Sequence, residues 1–243
     1  MNSIETRGLT KHFGARTAVD HLDLTVNDGE IFALLGQNGA GKTTTIRMLC
    51  GLLTPTDGDA LVMGKSILSQ TADVKRVINV SPQETAVAPK LSVRENLELI
   101  AGIYGMPREL AAERADEMME KFGLRERAND RAKKLSGGMQ RRLSISMALI
   151  SEPKVLFLDE PTLGLDVRAR RSLWEMISSL KGQMTVILTT HYLEEAQSLA
   201  DRIAIMRSGR ISALGTADEI MKSAGCDSFE DAFLALTDEE VSE

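Results

Sequence analysis

One segment of the sequence has the residue types and spacing that suit binding of a triphosphate. Residues 36–43 read Gly-Gln-Asn-Gly-Ala-Gly-Lys-Thr, which fits the pattern G-x-x-x-x-G-K-[ST]. Glycines let the backbone curl so that several N–H groups point at one anion, and the start of a following helix adds partial positive charge. In this pattern Lys42 reaches the β- and γ-phosphates, and the Thr43 hydroxyl is a ligand for Mg²⁺. The predicted phosphate-binding residues are Gly36, Gln37, Asn38, Gly39, Ala40, Gly41, Lys42, Thr43 and Thr44.

A pair of carboxylates follows an apolar run further along the chain. Residues 155–158 are apolar, and Asp159 and Glu160 come directly after them. Open α/β sheets bind their ligands at the carboxyl ends of strands. Asp159 suits Mg²⁺, directly or through water, and Glu160 suits the orientation or deprotonation of an attacking water. Alone, the two acids would as readily face solvent or cap a helix, but beside a phosphate-binding segment they indicate phosphoryl chemistry.

His191 follows a third apolar run, at residues 186–188, after two threonines; the first such run, at residues 31–35, directly precedes the phosphate-binding segment. A lone histidine is commonly a loop or core residue. Here three strand ends carry polar groups, and adjacent strands of one parallel sheet would bring these groups to one crevice. We therefore predict that His191 senses the phosphate.

Composition narrows the class of protein. The chain has 243 residues, a hydrophobic fraction of 43% and a formal net charge of −6, so it has ample length for a core and no electrostatic reason to bind nucleic acid in bulk. Cys50 and Cys226 lie far apart, which disfavours a disulfide framework and suits a reducing cytosol. We see no signal peptide and no apolar run of the roughly 18 residues that a spanning helix needs, so any membrane role is expected to come through a partner.

The elements that must position these residues alternate between strand and helix. Residues 4–26 show polar–apolar alternation, which predicts short antiparallel strands, and residues 60–63 predict another strand. Residues 42–52 and 169–180 are expected to be helical, and 92–150 to be mostly helical. This order predicts an α/β core with an N-terminal antiparallel β subdomain and an inserted helical subdomain.

The chain is expected to divide near residue 222. Residues 2–222 would form the main domain, with the helical subdomain inserted at about 88–150, and 223–243 a C-terminal helix and an acidic tail. Apolar residues in that last part recur at helical spacing; they are Phe229, Ala232, Phe233 and Leu236. We expect this helix to dock on the domain and the extreme end to be solvated and mobile.

Several motifs together resemble the ABC ATPase family. Residues 135–140, Leu-Ser-Gly-Gly-Met-Gln, resemble its signature loop, which is more diagnostic than the phosphate-binding pattern. Residues 80–83 resemble its Q-loop, residues 161–166 its D-loop, and Phe13 stands at the position of its adenine-stacking aromatic. The resemblance follows the family order and extends from about residue 4 to 215.

The resemblance implies a P-loop NTPase (RecA-like) core and a head-to-tail dimer that encloses ATP. Ser136 and Gly138 of one copy would contact the γ-phosphate held by Lys42 of the other, while Gln83 would join the nucleotide and Mg²⁺ to a membrane partner. The nucleotide-binding residues that the resemblance adds are Phe13, Ser136, Gly137, Gly138 and Asp166. Glu160, His191 and Gln83 would be catalytic, and Thr43, Gln83 and Asp159 would hold the metal. Read without the family, residues 136–138 are a helix-capping turn, Gln83 an ordinary turn residue and Phe13 a core aromatic.

Two positions depart from the family pattern. Met139 stands where glutamine is usual, and Val167 where proline often follows, but neither change removes a phosphate-contacting group. The Met139 form, with residues 189–196 and 228–233, looks most like the branch that exports drugs, polysaccharides or other hydrophobic cargo. We therefore expect an ATP- and Mg²⁺-dependent ATPase on the inner face of the cell membrane. It would drive a separate transmembrane permease as a homodimer or as a heterodimer with a relative.

Other functions stay open at this point. They are a soluble ABC protein acting on nucleic acid or another macromolecule, an importer subunit and a non-enzymatic regulator. The feature that favours the first is a basic region, which comprises Arg125, Arg127, Arg131, Lys133, Lys134, Arg141 and Arg142. We interpret these residues as solvated helix faces or partner contacts, and nucleic acid is not an expected partner. A GTPase is disfavoured because we find no N/T-K-x-D motif.

Overall fold

Two β-sheets organise the computed structural model, which describes residues 2–237. The first sheet is antiparallel, with the order β2-β1-β4-β5. Its strands are β1 (Asn2–Phe13), β2 (Arg16–Asn27), β4 (Asp57–Val62) and β5 (Lys65–Ser66). The predicted antiparallel strands at residues 4–26 are confirmed, but they are not short, because β1 and β2 are each 12 residues long. Register irregularities between Thr6 and Leu9 interrupt the alternation and made one long strand resemble several.

The second sheet, with the order β10-β9-β3-β8-β7-β6, forms the centre of the fold. Its strands are β3 (Ile31–Leu35), β6 (Ile78–Ser81), β7 (Val155–Asp159), β8 (Thr185–Thr190), β9 (Arg202–Arg207) and β10 (Arg210–Gly215). All pairs are parallel except β9–β10. Every residue of β3, β7 and β8 is buried, as expected of parallel strands covered on both faces. Along β3, Ile31, Ala33 and Leu35 join one hydrophobic core, while Phe32 and Leu34 join the other. This sheet confirms the predicted α/β P-loop NTPase fold.

Helices connect the strands and cover the sheet. They are α1 (Lys42–Leu49), α2 (Thr71–Val77), α3 (Val93–Ile103), α4 (Arg108–Lys121), α5 (Gly137–Leu149), α6 (Val167–Ser178), α7 (Leu193–Leu199), α8 (Ala217–Ala224) and α9 (Phe229–Thr237). α1 ends three residues before the predicted position because Gly51 takes a left-handed conformation, with φ 62°. α6 begins two residues earlier than predicted, because the Asp166 carboxylate accepts hydrogen bonds from the N–H groups of Arg168 and Ala169, each at 2.9 Å.

The segment between β6 and β7 is mostly helical, as predicted. Ser92 caps α3, and its hydroxyl and the Glu95 side chain form a reciprocal capping box. The fully buried Asn96 accepts a hydrogen bond of 2.7 Å from Ala88 N–H and donates one of 3.1 Å to Ala88 O, which ties α3 to the preceding loop. α5 packs against α3, α4 and α6 as well as β6 and β7, so it links the helical segment to the central sheet.

The predicted C-terminal helix is α9. Phe229, Ala232 and Phe233 are buried, and α9 packs against α8, β9 and β10. Residues 238–243, the end of the C-terminal helix and acidic tail predicted at 223–243, lie outside the described residues. Within residues 2–237, no helix combines the length and apolar character needed to cross a bilayer.

Candidate nucleotide-binding and hydrolysis site

The three predicted strand ends lie side by side at one edge of the central sheet. β8 pairs with β3 on one side and with β7 on the other. Leu35 is in register with Thr190, and Asp159 with Thr189. The residues that follow these strands therefore lie next to one another; they are Gly36, Glu160 and His191. This confirms the expectation that adjacent parallel strands bring the three groups to one crevice.

A cavity of about 370 Å³ opens at this edge, within the range of roughly 300–1,000 Å³ that is typical of small-molecule sites. Most of the predicted site residues line it; these are Phe13, Asn38, Gly39, Ala40, Gly41, Lys42, Thr43, Thr44, Gln83, Glu160 and His191. Arg16, Ala18 and Leu163 also line it and were not predicted. The structure thus brings together residues from positions 13 to 191.

The loop between β3 and α1 needs glycine at two close approaches. A Cβ atom at Gly41 would lie 2.6 Å from Ala18 O, and this residue has a φ of 110°. A Cβ atom at Gly36 would lie 2.5 Å from Met206 O. The loop is therefore pressed against its neighbours, and its N–H groups lie at the start of α1, where an anion is favoured.

Lys42 is buried, with 6% of its side chain exposed, and folds back over this loop. Its ammonium group donates hydrogen bonds to Gly36 O at 2.6 Å and to Gln37 O at 3.2 Å. It also lies 3.8 Å from Oε1 of Glu160. Burial lowers the pKa of Lys42, and the charges of Glu160 and Asp159 offset part of that effect. A desolvated cation of this kind favours an anionic ligand in the cavity.

Glu160 occupies a strained turn at the end of β7. Its φ is 49°, in the left-handed region that non-glycine residues rarely adopt. The turn is held because its N–H donates to the carbonyl and hydroxyl oxygens of Thr189, each at 3.1 Å. Nδ1 of His191 lies 2.8 Å from Oε2 of Glu160. The carboxylate is thus fixed on one oxygen by histidine and faces Lys42 with the other.

Oxygen ligands of the kind that Mg²⁺ prefers meet beside the cavity. Thr43 Oγ1 lies 3.4 Å from both carboxylate oxygens of Asp159, and the Thr189 hydroxyl donates to Asp159 Oδ1 at 2.5 Å. Residues 2–237 form no cluster of three or more histidine, cysteine or acidic side chains that would hold a metal alone. This sparse set fits Mg²⁺, which is usually bound by one or two protein oxygens together with phosphate and water oxygens.

Six predicted nucleotide-binding residues do not line this cavity: Gly36, Gln37, Ser136, Gly137, Gly138 and Asp166. The carbonyl oxygens of Gly36 and Gln37 accept hydrogen bonds from Lys42. Within this chain the other four residues lie at helix starts. The Ser136 hydroxyl accepts from Met139 N–H at 3.3 Å and caps α5, and Asp166 caps α6. A Cβ atom on Gly138 would lie 3.1 Å from Cβ of Ala169, so α5 and α6 approach closely there. The contact of these residues with a nucleotide stays a prediction.

Arg141 was misinterpreted from the sequence as part of a solvated basic region. It is 4% exposed and lies inside α5, whereas the other basic residues of that region are exposed or half-buried. Its guanidinium group donates to five carbonyl oxygens, which belong to Pro82, Gln83, Asp159, Glu160 and Pro161. It therefore ties the α5 helix to the backbone at Gln83 and at Glu160. The signal for this role in the sequence is the position of Arg141, one helical turn after Gly137 of the signature loop.

Arg141→Lys is expected to lower the free energy of unfolding by about 2–4 kcal/mol and ATP turnover by about tenfold or more. Lysine keeps the charge, but its three N–H donors are all on one nitrogen. They cannot reach the carbonyl groups that the three nitrogens of the planar guanidinium group contact. Urea unfolding and steady-state turnover measure the two effects. Arg142→Lys is the matched control, because Arg142 donates one side-chain bond, to Ser172 Oγ at 3.0 Å. Equal losses in the two variants would contradict the role of Arg141.

The fold and the cavity define the class of the protein. A glycine-rich loop joins β3 to α1, carboxylates follow β7, and a histidine follows β8 at the same sheet edge. This arrangement is that of a P-loop NTPase.

Comparison with known proteins identifies the family. Residues 19–163 match the family described as ABC transporter. The chain is 44% identical, over 93% of its length and 72% of the relative's, to the daunorubicin resistance ATP-binding protein DrrA3 of Streptomyces coeruleorubidus. It is 40% identical, over 92% of its length and 72% of the relative's, to the linearmycin resistance ATP-binding protein LnrL of Bacillus subtilis. A solved ATP-binding subunit of an ABC transporter aligns with a TM-score of 0.85 and 30% identity, covering 97% of this chain and 99% of that one.

The chain belongs to the ABC transporter family, as an ATP-binding subunit that hydrolyses ATP. Subunits of this kind work with a transmembrane partner. The comparisons thus confirm the family that the signature loop indicated.

Proposed function

We propose that this chain powers an exporter of drugs or similar hydrophobic cargo, with the membrane-spanning part on a separate polypeptide. The observation that carries the proposal is the similarity, over more than nine tenths of the chain, to ATP-binding proteins named for antibiotic resistance. Residues 2–222 would form the ATPase domain, with a helical subdomain at about 88–150 and a C-terminal unit at 223–243. The subunit would sit on the inner face of the membrane, where ATP is available.

Adenine binding falls to Phe13, which is 51% exposed at the mouth of the cavity. An exposed aromatic face gives a base a surface on which to stack. From there the triphosphate would follow the cavity to the loop at 36–43, whose N–H groups and Lys42 neutralise its charge. The Lys42 ammonium group would then donate some of its hydrogen bonds to phosphate oxygens instead of to the loop carbonyl groups.

Hydrolysis requires a group that accepts a proton from water close to the γ-phosphate. Glu160 fits this role, because its carboxylate is buried, is held by His191 and lies 3.8 Å from Lys42. His191 orients Glu160 and lies on the cavity wall, where a phosphate would sit. Thr43, Asp159 and Gln83 would hold Mg²⁺, which supplies Lewis-acid neutralisation of the charge that develops on phosphate oxygens.

A second protomer would complete the enclosure of ATP. Ser136 and Gly137 are exposed at the start of α5, a helix of 13 residues whose first N–H groups favour an anion. Because these residues lie outside the cavity of their own chain, we propose that they close the cavity of another copy or of a related subunit. Gly138 and Asp166 would take part in the same contact. Closure and reopening would move the helices of the membrane partner.

Purification of the tagged chain from solubilised membranes is expected to recover a protein with several spanning helices. ATP turnover of that complex in liposomes should rise at least about twofold with a hydrophobic antibiotic, since cargo would favour the closed state. Nucleic acid should have no such effect. The Lys42→Ala complex serves as the control that the turnover belongs to this subunit. Recovery without a membrane partner, or stimulation by nucleic acid instead, would contradict the export proposal.

A further inference from the structure

A carboxyl group is buried close to the proposed catalytic residues without touching the cavity. Glu195 lies on α7 and is 0% exposed. Its Oε1 accepts a hydrogen bond of 3.1 Å from the indole Nε1 of Trp174 on α6. Its Oε2 has no hydrogen-bond partner among residues 2–237. An acidic side chain with one orphaned oxygen costs stability, so its place in the core calls for a physical reason.

The neighbours of this carboxyl group belong to the two segments that carry the proposed catalytic side chains. The hydroxyl groups of Thr162 and Thr190 lie beside it. Thr162 follows Glu160 by two residues in a tight turn, in which Leu163 N–H donates to Glu160 O at 3.2 Å. Thr190 directly precedes His191. The carboxyl group thus lies where the segment after β7 meets the segment after β8.

One of these hydroxyl groups lacks a hydrogen-bond partner in the described part of the chain, as Glu195 Oε2 does. Thr162 Oγ1 is buried and has no hydrogen-bond partner within residues 2–237, whereas Thr190 Oγ1 accepts from the N–H of Tyr192 at 2.9 Å and keeps its own proton to donate. Two unpartnered polar atoms of neighbouring side chains, Glu195 Oε2 and Thr162 Oγ1, would satisfy one another by forming a hydrogen bond. That bond would join α7 to the turn that follows Glu160.

The direction in which the pKa of Glu195 is shifted suits a bond of this kind. Burial raises the pKa of Glu195, and the Thr190 and Thr162 hydroxyl groups and the Trp174 indole offset only part of the rise. The nearby charge of Glu160 adds to the rise. A raised pKa favours the neutral carboxyl group, which offers an O–H donor and a carbonyl acceptor, and a glutamine amide of similar volume offers N–H donors and a carbonyl acceptor.

We propose that Glu195 is a positioning residue for ATP hydrolysis, whose buried carboxyl group joins the Thr162 turn to the Thr190–His191 segment and so keeps Glu160 and His191 in register. It touches neither substrate nor metal. The role rests on the proposed function of Glu160 and His191 and adds a residue that acts on both through their neighbours. Removal of the carboxyl group lets the two segments move apart, which disturbs the alignment of water but leaves the loop at Lys42 intact.

The test compares Glu195→Ala, Glu195→Gln and Trp174→Phe. Glu195→Ala is expected to lower kcat at least about tenfold while the KM for ATP changes less than about twofold. Glu195→Gln should restore kcat to within about twofold of wild type. Trp174→Phe removes the indole hydrogen bond to the same carboxyl group but leaves both threonines, so it should lower stability and keep kcat. Wild-type kcat in Glu195→Ala, or equal loss of kcat in Trp174→Phe, overturns the proposal.

A double-mutant cycle with Thr162→Val locates the effect. If the two side chains act as one unit, Thr162→Val alone lowers kcat, and adding Glu195→Ala lowers it no further. Fully additive effects would overturn the link. If Glu195→Ala does not fold, Glu195→Gln and Thr162→Val still decide, since an inactive glutamine variant or a fully active valine variant is contrary to the proposal. If only this inference is wrong, Glu160→Gln is still inactive. If the proposed function is wrong, Glu160→Gln keeps its ATP turnover.

Discussion

Glu160→Gln is expected to bind ATP with nearly wild-type affinity and to hydrolyse it at least about 100-fold more slowly, since a general base contributes roughly 10²–10⁴-fold. Glutamine has the shape of glutamate and keeps an oxygen for the 2.8 Å contact with His191. It cannot take a proton from water at the γ-phosphate. The variant also removes a negative charge beside Lys42, so the closed, ATP-bound form should accumulate.

Two measurements check this result. Single-turnover hydrolysis gives the rate of the chemical step, and gel filtration with ATP and Mg²⁺ should show a dimer that persists, while the wild type returns to the monomer. Glu194→Gln is the matched control, because Glu194 is exposed on α7 and should leave both properties unchanged. Turnover of Glu160→Gln close to that of wild type would remove Glu160 from the role of base. If Glu160→Gln hydrolyses ATP slowly but stays monomeric with ATP, the proposed dimer is contradicted and the role of Glu160 as base is not.

Lys42→Ala is expected to weaken ATP binding about 100-fold or more. Hydrogen bonds to a charged group contribute about 1.5–3 kcal/mol each, and the buried ammonium would make more than one to the phosphates. Isothermal titration with a non-hydrolysable analogue measures the dissociation constant directly. Undiminished affinity would contradict the assignment of the phosphate-binding loop.

Loss of the folded state is a separate effect of this change and needs its own control. Lys42 also donates to Gly36 O and Gln37 O, so alanine leaves two loop carbonyls without that partner. Lys42→Met keeps most of the buried volume and tests binding with less disturbance of the loop. Lys75→Met, at an exposed position on α2, controls for a change of one charge and should leave the affinity unchanged. If Lys42→Met unfolds at the same urea concentration as wild type, its loss of affinity reports the phosphate contact alone.

Some parts of the fold were hard to predict because their sequence signal is weak. β6 has four residues and includes Asn79 and Ser81, so it does not read as an apolar run. β10 lies at the edge of the sheet, and its polar residues face solvent. Such strands are specified by their neighbours more than by their own residues.

Charged side chains in the core are the other omission. Arg141 and Glu195 sit in polar stretches that favour a solvated interpretation, yet both are buried. A charged residue becomes buried only when other elements cover it and supply partners, and those elements are distant in sequence. Trp174, for example, supplies the indole for Glu195 from another helix.

The sequence by itself determined the local chemistry of this protein. The glycines of residues 36–41 specify a backbone that only such residues adopt, and the apolar run before Asp159 marks a buried strand, because both effects act over a few residues. The order of apolar strands also predicted that the groups after them meet at one edge of the sheet. Only the tertiary structure decided the remaining contacts, because it brought Arg16 and Leu163 to the same cavity and buried Arg141 and Glu195 between segments. These outcomes depend on contacts between distant elements, which pattern and propensity along the chain do not encode.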